Sequence, residues 1–129
     1  NYWGLSAGYT RNQDGSVGYT AHNPKNDHGV ITPTAALSSF PYTPKESMDF
    51  LRFLYNEKPE FIGSAGPYDA TSINYDNWFT PRYLAIDQGT ISPMIENYRT
   101  GLIWNLFMNA PEIKAGLKKL DFKSSKHSL

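Results

Sequence analysis

The residues of this sequence that could do chemistry are carboxylates placed among aromatic side chains. The three histidines lack the spacing of a zinc site, and no Gly-x-Ser-x-Gly motif, phosphate-binding loop or dinucleotide-binding glycine pattern occurs. Asp69, Asp87 and Glu96 remain. Carboxylates can exchange protons with a substrate, and aromatic rings can stack on the apolar faces of sugars. These side chains are therefore the candidates for a functional site.

Asp87 stands at the expected start of a long helix that runs to about Met108. The free N–H groups and the dipole at the start of a helix favour negative charge, so this position suits an ionised carboxylate that acts as a base. Asp is also among the best residues for capping a helix, and a plain capping role stays open.

Glu96 and Arg99 are three residues apart on the same expected helix, which favours an ion pair between them. If they face a cavity, both could instead bind substrate by hydrogen bonds to sugar hydroxyls. Asp69 lies in a loop flanked by Gly and Pro, where it could contact a substrate or cap its own turn.

Aromatic residues make up 15% of the chain, enough to supply either a core or a sugar-binding surface. Tyr68, Trp78 and Trp3 lie in segments without helical periodicity. They are the best candidates for stacking on a substrate.

Composition narrows the possible partners. Twelve basic and twelve acidic residues balance, so nothing favours a nucleic acid or another polyanion. The absence of cysteine rules out a disulfide framework. No apolar run approaches the roughly 20 residues that cross a bilayer, so no membrane span is predicted.

Threonine and proline signals predict the helices that would position these residues. Thr32-Pro33 predicts a short helix. Thr43-Pro44 followed by Glu46 predicts a capping box and a helix from Pro44 to Glu57. Pro111 to Leu120 is predicted to be the last short helix.

Two long segments between the helices are predicted to be loops. Residues 1–31 form a loop-rich segment with at most short strands, and loops of this length are usually functional, so this segment is a site candidate. Residues 58–86 hold several Gly and Pro among aromatics. Residues 123–129 are expected to be a frayed tail. The predicted fold class is all-α, with long Gly- and aromatic-rich loops.

Several stretches of the sequence can be compared, in order and spacing, with known families. They are Thr32 to Pro44 (TPTAALSSFPYTP) with Glu46, Gly66-Pro67-Tyr68-Asp69-Ala70, Ile86-Asp87-Gln88-Gly89, Ile95-Glu96-Asn97-Tyr98-Arg99-Thr100-Gly101, and Trp104. Together they resemble the glucoamylase-like endo-β-1,2-glucanases, a group similar to glycoside hydrolase family 144. The resemblance covers nearly the whole chain.

The resemblance implies a toroid of six inner and six outer helices. It further implies hydrolysis of β-1,2-glucan with inversion at the anomeric carbon, a polysaccharide or oligosaccharide substrate, no metal or organic cofactor, and a periplasmic or secreted location. It also strengthens a catalytic or substrate-binding role for Asp87.

The chain is too short for a complete toroid. Twelve helices of about 11 residues joined by about 5 residues need roughly 190 residues, whereas this chain has 129. We therefore expect residues 1–129 to be the C-terminal part of one catalytic domain, about its last two helical hairpins. The remaining N-terminal part of the same fold would complete it, and without that part an apolar side would be exposed.

The two catalytic carboxyl groups of an inverting glycosidase lie about 6.5–9.5 Å apart. Asp87 and Glu96 would be separated by about 13.5 Å along one helix, so we expect the N-terminal part to supply the other member of the pair. Two other functions stay open: a glucan-cyclising transglycosylase, and a non-catalytic glucan-binding or structural remnant.

Overall fold

The computed structural model describes residues 1–127 and has a mixed fold, so the all-α prediction is wrong. Helix accounts for 43% and strand for 18%, the strands forming three small antiparallel sheets. Of the predicted tail, residues 123–127 carry no helix or strand, and residues 128 and 129 lie outside the described residues. No helix within residues 1–127 is long and apolar enough to cross a membrane.

The chain divides into two compact units, Asn1–Ile95 and a second that begins at Glu96. All six strands and the buried core belong to the first unit.

A hairpin of β1 (Ala7–Arg11) and β2 (Val17–Ala21) occupies the segment predicted to be mainly loop. Gly15 adopts a φ of 85° in the connecting turn, a value that glycine tolerates without steric cost. In β1 the even-numbered residues are buried and the odd-numbered ones are half-buried, the alternation expected of a strand with one covered face. One covered face explains why this segment shows no helical period.

The second predicted loop also contains strands, all of them short. After a 3₁₀ turn at Pro59–Phe61 come β3 (Ile62–Gly63) paired with β4 (Gly66–Pro67), and β5 (Ala70–Ser72) paired with β6 (Trp78–Thr80). All three residues of β5 are buried. Ile31 and Thr71 exchange backbone hydrogen bonds of 2.8 and 2.9 Å, which join the first long segment to β5.

Helices α1 (Pro33–Leu37) and α2 (Pro44–Glu57) confirm the predictions made from the two Thr-Pro signals. The capping box is wrong, because the Thr43 hydroxyl makes no capping bond. It donates to the Ser39 carbonyl oxygen at 3.2 Å and lies 3.1 Å from the Ser47 hydroxyl. The preceding turn thus uses the side chain that was expected to cap α2.

The predicted long helix is two helices, α3 (Ala85–Arg99) and α4 (Leu102–Asn109). Gly101 adopts a φ of 71° between them, which ends α3 in the left-handed conformation that glycine favours. Pro93 lies inside α3 rather than in its first turn. The last helix, α5 (Pro111–Lys119), matches its prediction to within one residue.

The buried core of the first unit is formed where α1, α2, the 3₁₀ turn and α3 meet. Its members are Ala36, Leu37, Phe40, Phe50, Leu54, Phe61 and Ile91. Burial of apolar surface stabilises the folded state by roughly 25 cal/mol per Å², so these side chains make the main favourable contribution to the folding of this unit. It fixes the two elements that carry the candidate site, the segment before β5 and the start of α3.

Within residues 96–127, the second unit has no comparable core. Helices α4 and α5 contain no buried residue. Leu106, Phe107 and Leu120 are 65%, 58% and 70% exposed. This agrees with the expectation that these helices, as they stand, leave an apolar side uncovered.

Candidate active site

Asp69 and Asp87 are neighbours in the first unit, close enough for Asp87 to affect the pKa of Asp69. Asp69 is 4% exposed and precedes β5, where its N–H donates to the Arg82 carbonyl oxygen at 3.0 Å. Asp87 lies in the first turn of α3, two residues after the helix starts, and is not its N-cap. Its carbonyl oxygen accepts from the Thr34 hydroxyl at 2.6 Å, which ties α3 to α1.

Burial raises the pKa of Asp69 to about 7. The Tyr9 N–H donates to Asp69 Oδ2 at 2.8 Å and opposes that rise, while the hydrogen bond and the negative charge of Asp87 add to it. Below pH 7 Asp69 therefore holds a proton.

Among the buried side-chain oxygens of residues 1–127 that have no hydrogen-bond partner are one of Asp69 (Oδ1) and one of Asp87 (Oδ2), together with Thr32 Oγ1 and Thr80 Oγ1. A buried polar atom without a partner costs about 1–3 kcal/mol.

Gly8 allows β1 to approach Asp69. A Cβ atom at this position would lie 2.9 Å from Asp69 Oδ2 and 3.0 Å from Thr32 Oγ1. Sequence reasoning missed the contributions of Gly8, Tyr9, Thr32 and Thr34, because each depends on a contact between segments distant in sequence. The alternation of residues in β1 was the one local signal.

The aromatic candidates lie in different surroundings. Tyr68, next to Asp69, stacks on Phe79 with ring centroids 5.2 Å apart, so the packing of the first unit already covers one face of its ring. Trp3 packs against Phe50 at 6.5 Å. Trp78 is half-buried on β6. Stacking of these three rings on a substrate stays a prediction.

In the second unit, Glu96 and Arg99 form the ion pair that their spacing predicts, at 3.0 Å. Glu96 also accepts from the Thr100 hydroxyl at 2.6 Å. The Arg99 side chain is 67% exposed, so the pair adds little stability. A role of either residue in binding substrate stays a prediction.

Within residues 1–127, no three His, Asp or Glu side chains come close enough to hold a metal ion. Asp69, whose pKa is raised by burial, and its neighbour Asp87 are therefore the candidates for proton transfer.

A family model described as "Putative glucoamylase" matches residues 1–111. The chain belongs to this glucoamylase-like family.

Similar proteins include an exo-β-1,2-glucooligosaccharide sophorohydrolase (non-reducing end) from Parabacteroides distasonis, 41% identical over 92% of this chain. The structure of an endo-β-1,2-glucanase from Chitinophaga pinensis, solved with sophorotriose and glucose, is 53% identical with a TM-score of 0.83 over 95% of this chain. A Bacteroides uniformis structure of the same description as the family is 51% identical with a TM-score of 0.86 over 98% of this chain.

This chain spans a small part of each relative. It covers 16% of the sophorohydrolase. It covers 28% of the Chitinophaga pinensis chain and 29% of the Bacteroides uniformis chain.

Proposed function

We propose that this protein is a glycoside hydrolase that cleaves β-1,2-glucan to β-1,2-gluco-oligosaccharides, and that Asp87 is its general base. The placement of the Asp87 carboxylate in the first turn of α3, beside a protonated neighbour, supports this role. The relatives named as β-1,2-glucan hydrolases support the substrate class.

Asp69 is a positioning residue in this proposal. An inverting glycosidase needs an acid that reaches the leaving oxygen of the substrate, whereas Asp69 is only 4% exposed. Asp69 and Asp87 therefore do not form the acid–base pair. While Asp69 is protonated, it instead leaves the Asp87 carboxylate without an adjacent negative charge.

The general acid then comes from polypeptide outside these residues. That acid protonates the leaving glycosidic oxygen, while Asp87 takes a proton from the water that attacks the anomeric carbon from the opposite face. The products are a new reducing end of inverted configuration and a shortened glucan.

The uncovered helices favour the same view of the whole domain. We infer that residues 1–129 form one part of a single helical-toroid catalytic domain, and that the rest of the domain covers the apolar side of α4 and α5. A periplasmic or secreted location, suggested by the resemblance, belongs to the same proposal and is checked by cell fractionation.

The test replaces Asp87 with Asn in the complete polypeptide that carries this chain. We expect β-1,2-glucan hydrolysis to fall by at least about 100-fold, because proton transfer to a positioned base contributes that much. The matched control is Asp49→Asn, which changes a half-buried carboxylate on α2 that pairs with Lys45.

Product analysis separates the alternatives. Linear oligosaccharides whose new reducing ends have the inverted configuration by NMR support the proposal. Cyclic products would indicate a transglycosylase, and no products would indicate a glucan-binding or structural remnant. Full activity of the Asp87→Asn variant would refute the role of Asp87.

A further inference from the structure

A polar cavity of about 610 Å³ opens beside the turn of the β1–β2 hairpin. Its lining comes from that turn, the segment after β2 and the loop before β6: Arg11, Asn12, Gln13, Asp27, His28, Gly29 and Tyr75. Its volume lies within the range of ligand pockets, roughly 300–1,000 Å³. Asp69 and Asp87 do not line it, so it is a separate place from the carboxylate pair.

The walls of this hairpin cavity are held in place by contacts that leave it open. The Arg11 guanidinium lies 4.7 Å from the centroid of the Tyr75 ring, a cation–π contact. The Tyr75 hydroxyl donates to the His28 carbonyl oxygen at 2.8 Å. The Gly29 N–H donates to Asp27 Oδ1 at 2.8 Å, with Gly29 at a φ of 69°. Walls fixed before binding lower the entropic cost of ordering a ligand site.

Both nitrogens of the His28 ring are engaged by the hairpin side of the cavity. The Asn26 amide nitrogen donates to the Thr20 hydroxyl and the Ala21 carbonyl oxygen, each at 3.0 Å, which leaves Asn26 Oδ1 to accept from His28 Nε2–H at 2.8 Å. The Thr10 hydroxyl lies 3.4 Å from His28 Nδ1. What His28 can offer a ligand is therefore the apolar carbon edge of its ring.

The chemistry of the lining fits a neutral ligand with many hydroxyl groups. Arg11 and Asp27 carry opposite charges, so the cavity has no strong preference for an anion or a cation. The amide side chains of Asn12 and Gln13 can each donate and accept. Hydrogen-bonding groups beside aromatic carbon surface are what the two kinds of face on a sugar require.

Strand β1 connects this cavity to the carboxylate pair. The Tyr9 N–H bonds Asp69, and the cavity begins two residues further along the strand, at Arg11. Arg11, the last residue of β1, thus lies roughly 7 Å from that N–H at about 3.3 Å per residue. A short stretch of oligosaccharide can span this distance.

We propose that the hairpin cavity is a distal subsite that holds a glucosyl unit of the glucan remote from the bond being cleaved. This subsite depends on the proposed function, and binding at it would give the enzyme a preference for longer substrates. Arg11 and Gln13 are its hydrogen-bonding residues.

The test measures KM for β-1,2-gluco-oligosaccharides of increasing length with the complete polypeptide. In the wild-type protein, KM should fall as the oligosaccharide grows long enough to reach the cavity. In Arg11→Ala this gain should be lost, raising KM for the long substrates by roughly tenfold, because a hydrogen bond to a charged group contributes that much. Gln13→Ala, at an exposed turn position, should show a smaller loss of the same kind.

Arg52→Ala is the matched control, since Arg52 is exposed on α2 and outside the cavity lining. The inference is overturned if both cavity variants keep the wild-type dependence of KM on length. It is also overturned if Arg11→Ala raises KM by the same factor at every length. A wild-type protein that cleaves no β-1,2-glucan would refute the proposed function itself, and this inference with it.

Discussion

Asp69 ties the stability of the protein to pH. Its pKa is about 7 in the folded state against an ordinary value of 3.8. Between these values the folded state binds more protons than the unfolded chain, so the free energy of unfolding falls as the pH rises from about 4 to 7. Above pH 7 the loss is complete, because both states are then ionised.

Replacing Asp69 with Asn should flatten this dependence. The amide is neutral at every pH, can accept from the Tyr9 N–H and can donate to Asp87. We expect the drop in the free energy of unfolding between pH 5 and pH 8 to shrink in Asp69→Asn, as measured by urea denaturation at both values. Asp49→Asn should keep the wild-type drop, and an unchanged drop in Asp69→Asn would contradict the assignment.

The proposed role of Asp87 as general base predicts that hydrolysis also depends on the charge of Asp69. When Asp69 ionises above pH 7, Asp87 gains a neighbouring negative charge. We expect the rate of hydrolysis by the wild-type protein to show a step near pH 7. The pH–rate profile of Asp69→Asn should lack this step. A profile with the same step in both proteins would show that another group titrates there.

At the scale of elements, the break between α3 and α4 depends on Gly101. Its φ of 71° costs other residues roughly 1–2 kcal/mol. We expect Gly101→Ala to lower the melting temperature followed by circular dichroism. Gly116→Ala, inside α5 with open space at the Cβ position, should be neutral or stabilising. Equal melting temperatures would contradict this account.

The helices were the predictable part of the fold. Proline after threonine marks α1 and α2 through rules that act within a few residues, so their starts agree with the structure. The hairpin was missed although it was predictable. Asp14-Gly15 between alternating residues is a recognised turn signal. Gly101 was a similar missed signal within the supposed long helix.

The sequence indicated individual residues of the candidate site, but not that they would lie together. Asp69 and Asp87 each stood out by local context, but their contact forms through the segment before β5 and the first turn of α3. Tyr9 reaches Asp69 from a third segment, β1. No local pattern encodes such a meeting, and the pKa of Asp69 follows from burial that the sequence does not display.

At the scale of the whole molecule, a polar substitution on the uncovered apolar side of α4 and α5 should have different effects in residues 1–129 alone and in the complete polypeptide. In residues 1–129 alone, Leu106→Ser should reduce binding of the dye ANS, because it removes exposed apolar surface. In the complete polypeptide the same change should lower stability by about 2–5 kcal/mol, because Leu106 is then buried.

Lys118→Ser, at an exposed position on α5, is the control for both measurements and should alter neither. If Leu106→Ser leaves the complete polypeptide as stable as the wild type, that face is not covered by the rest of the domain.

A substitution at Gly8 would alter the surroundings of Asp69 without replacing either acidic residue. The backbone of β1 at Gly8 lies so close to Asp69 that a methyl group at this position, as in Gly8→Ala, would collide with the carboxyl group. It would push the acid and the strand apart while every ionisable group in the neighbourhood remained. Spacing and charge, which are usually altered together when an acidic residue is replaced, can thus be varied independently at this position.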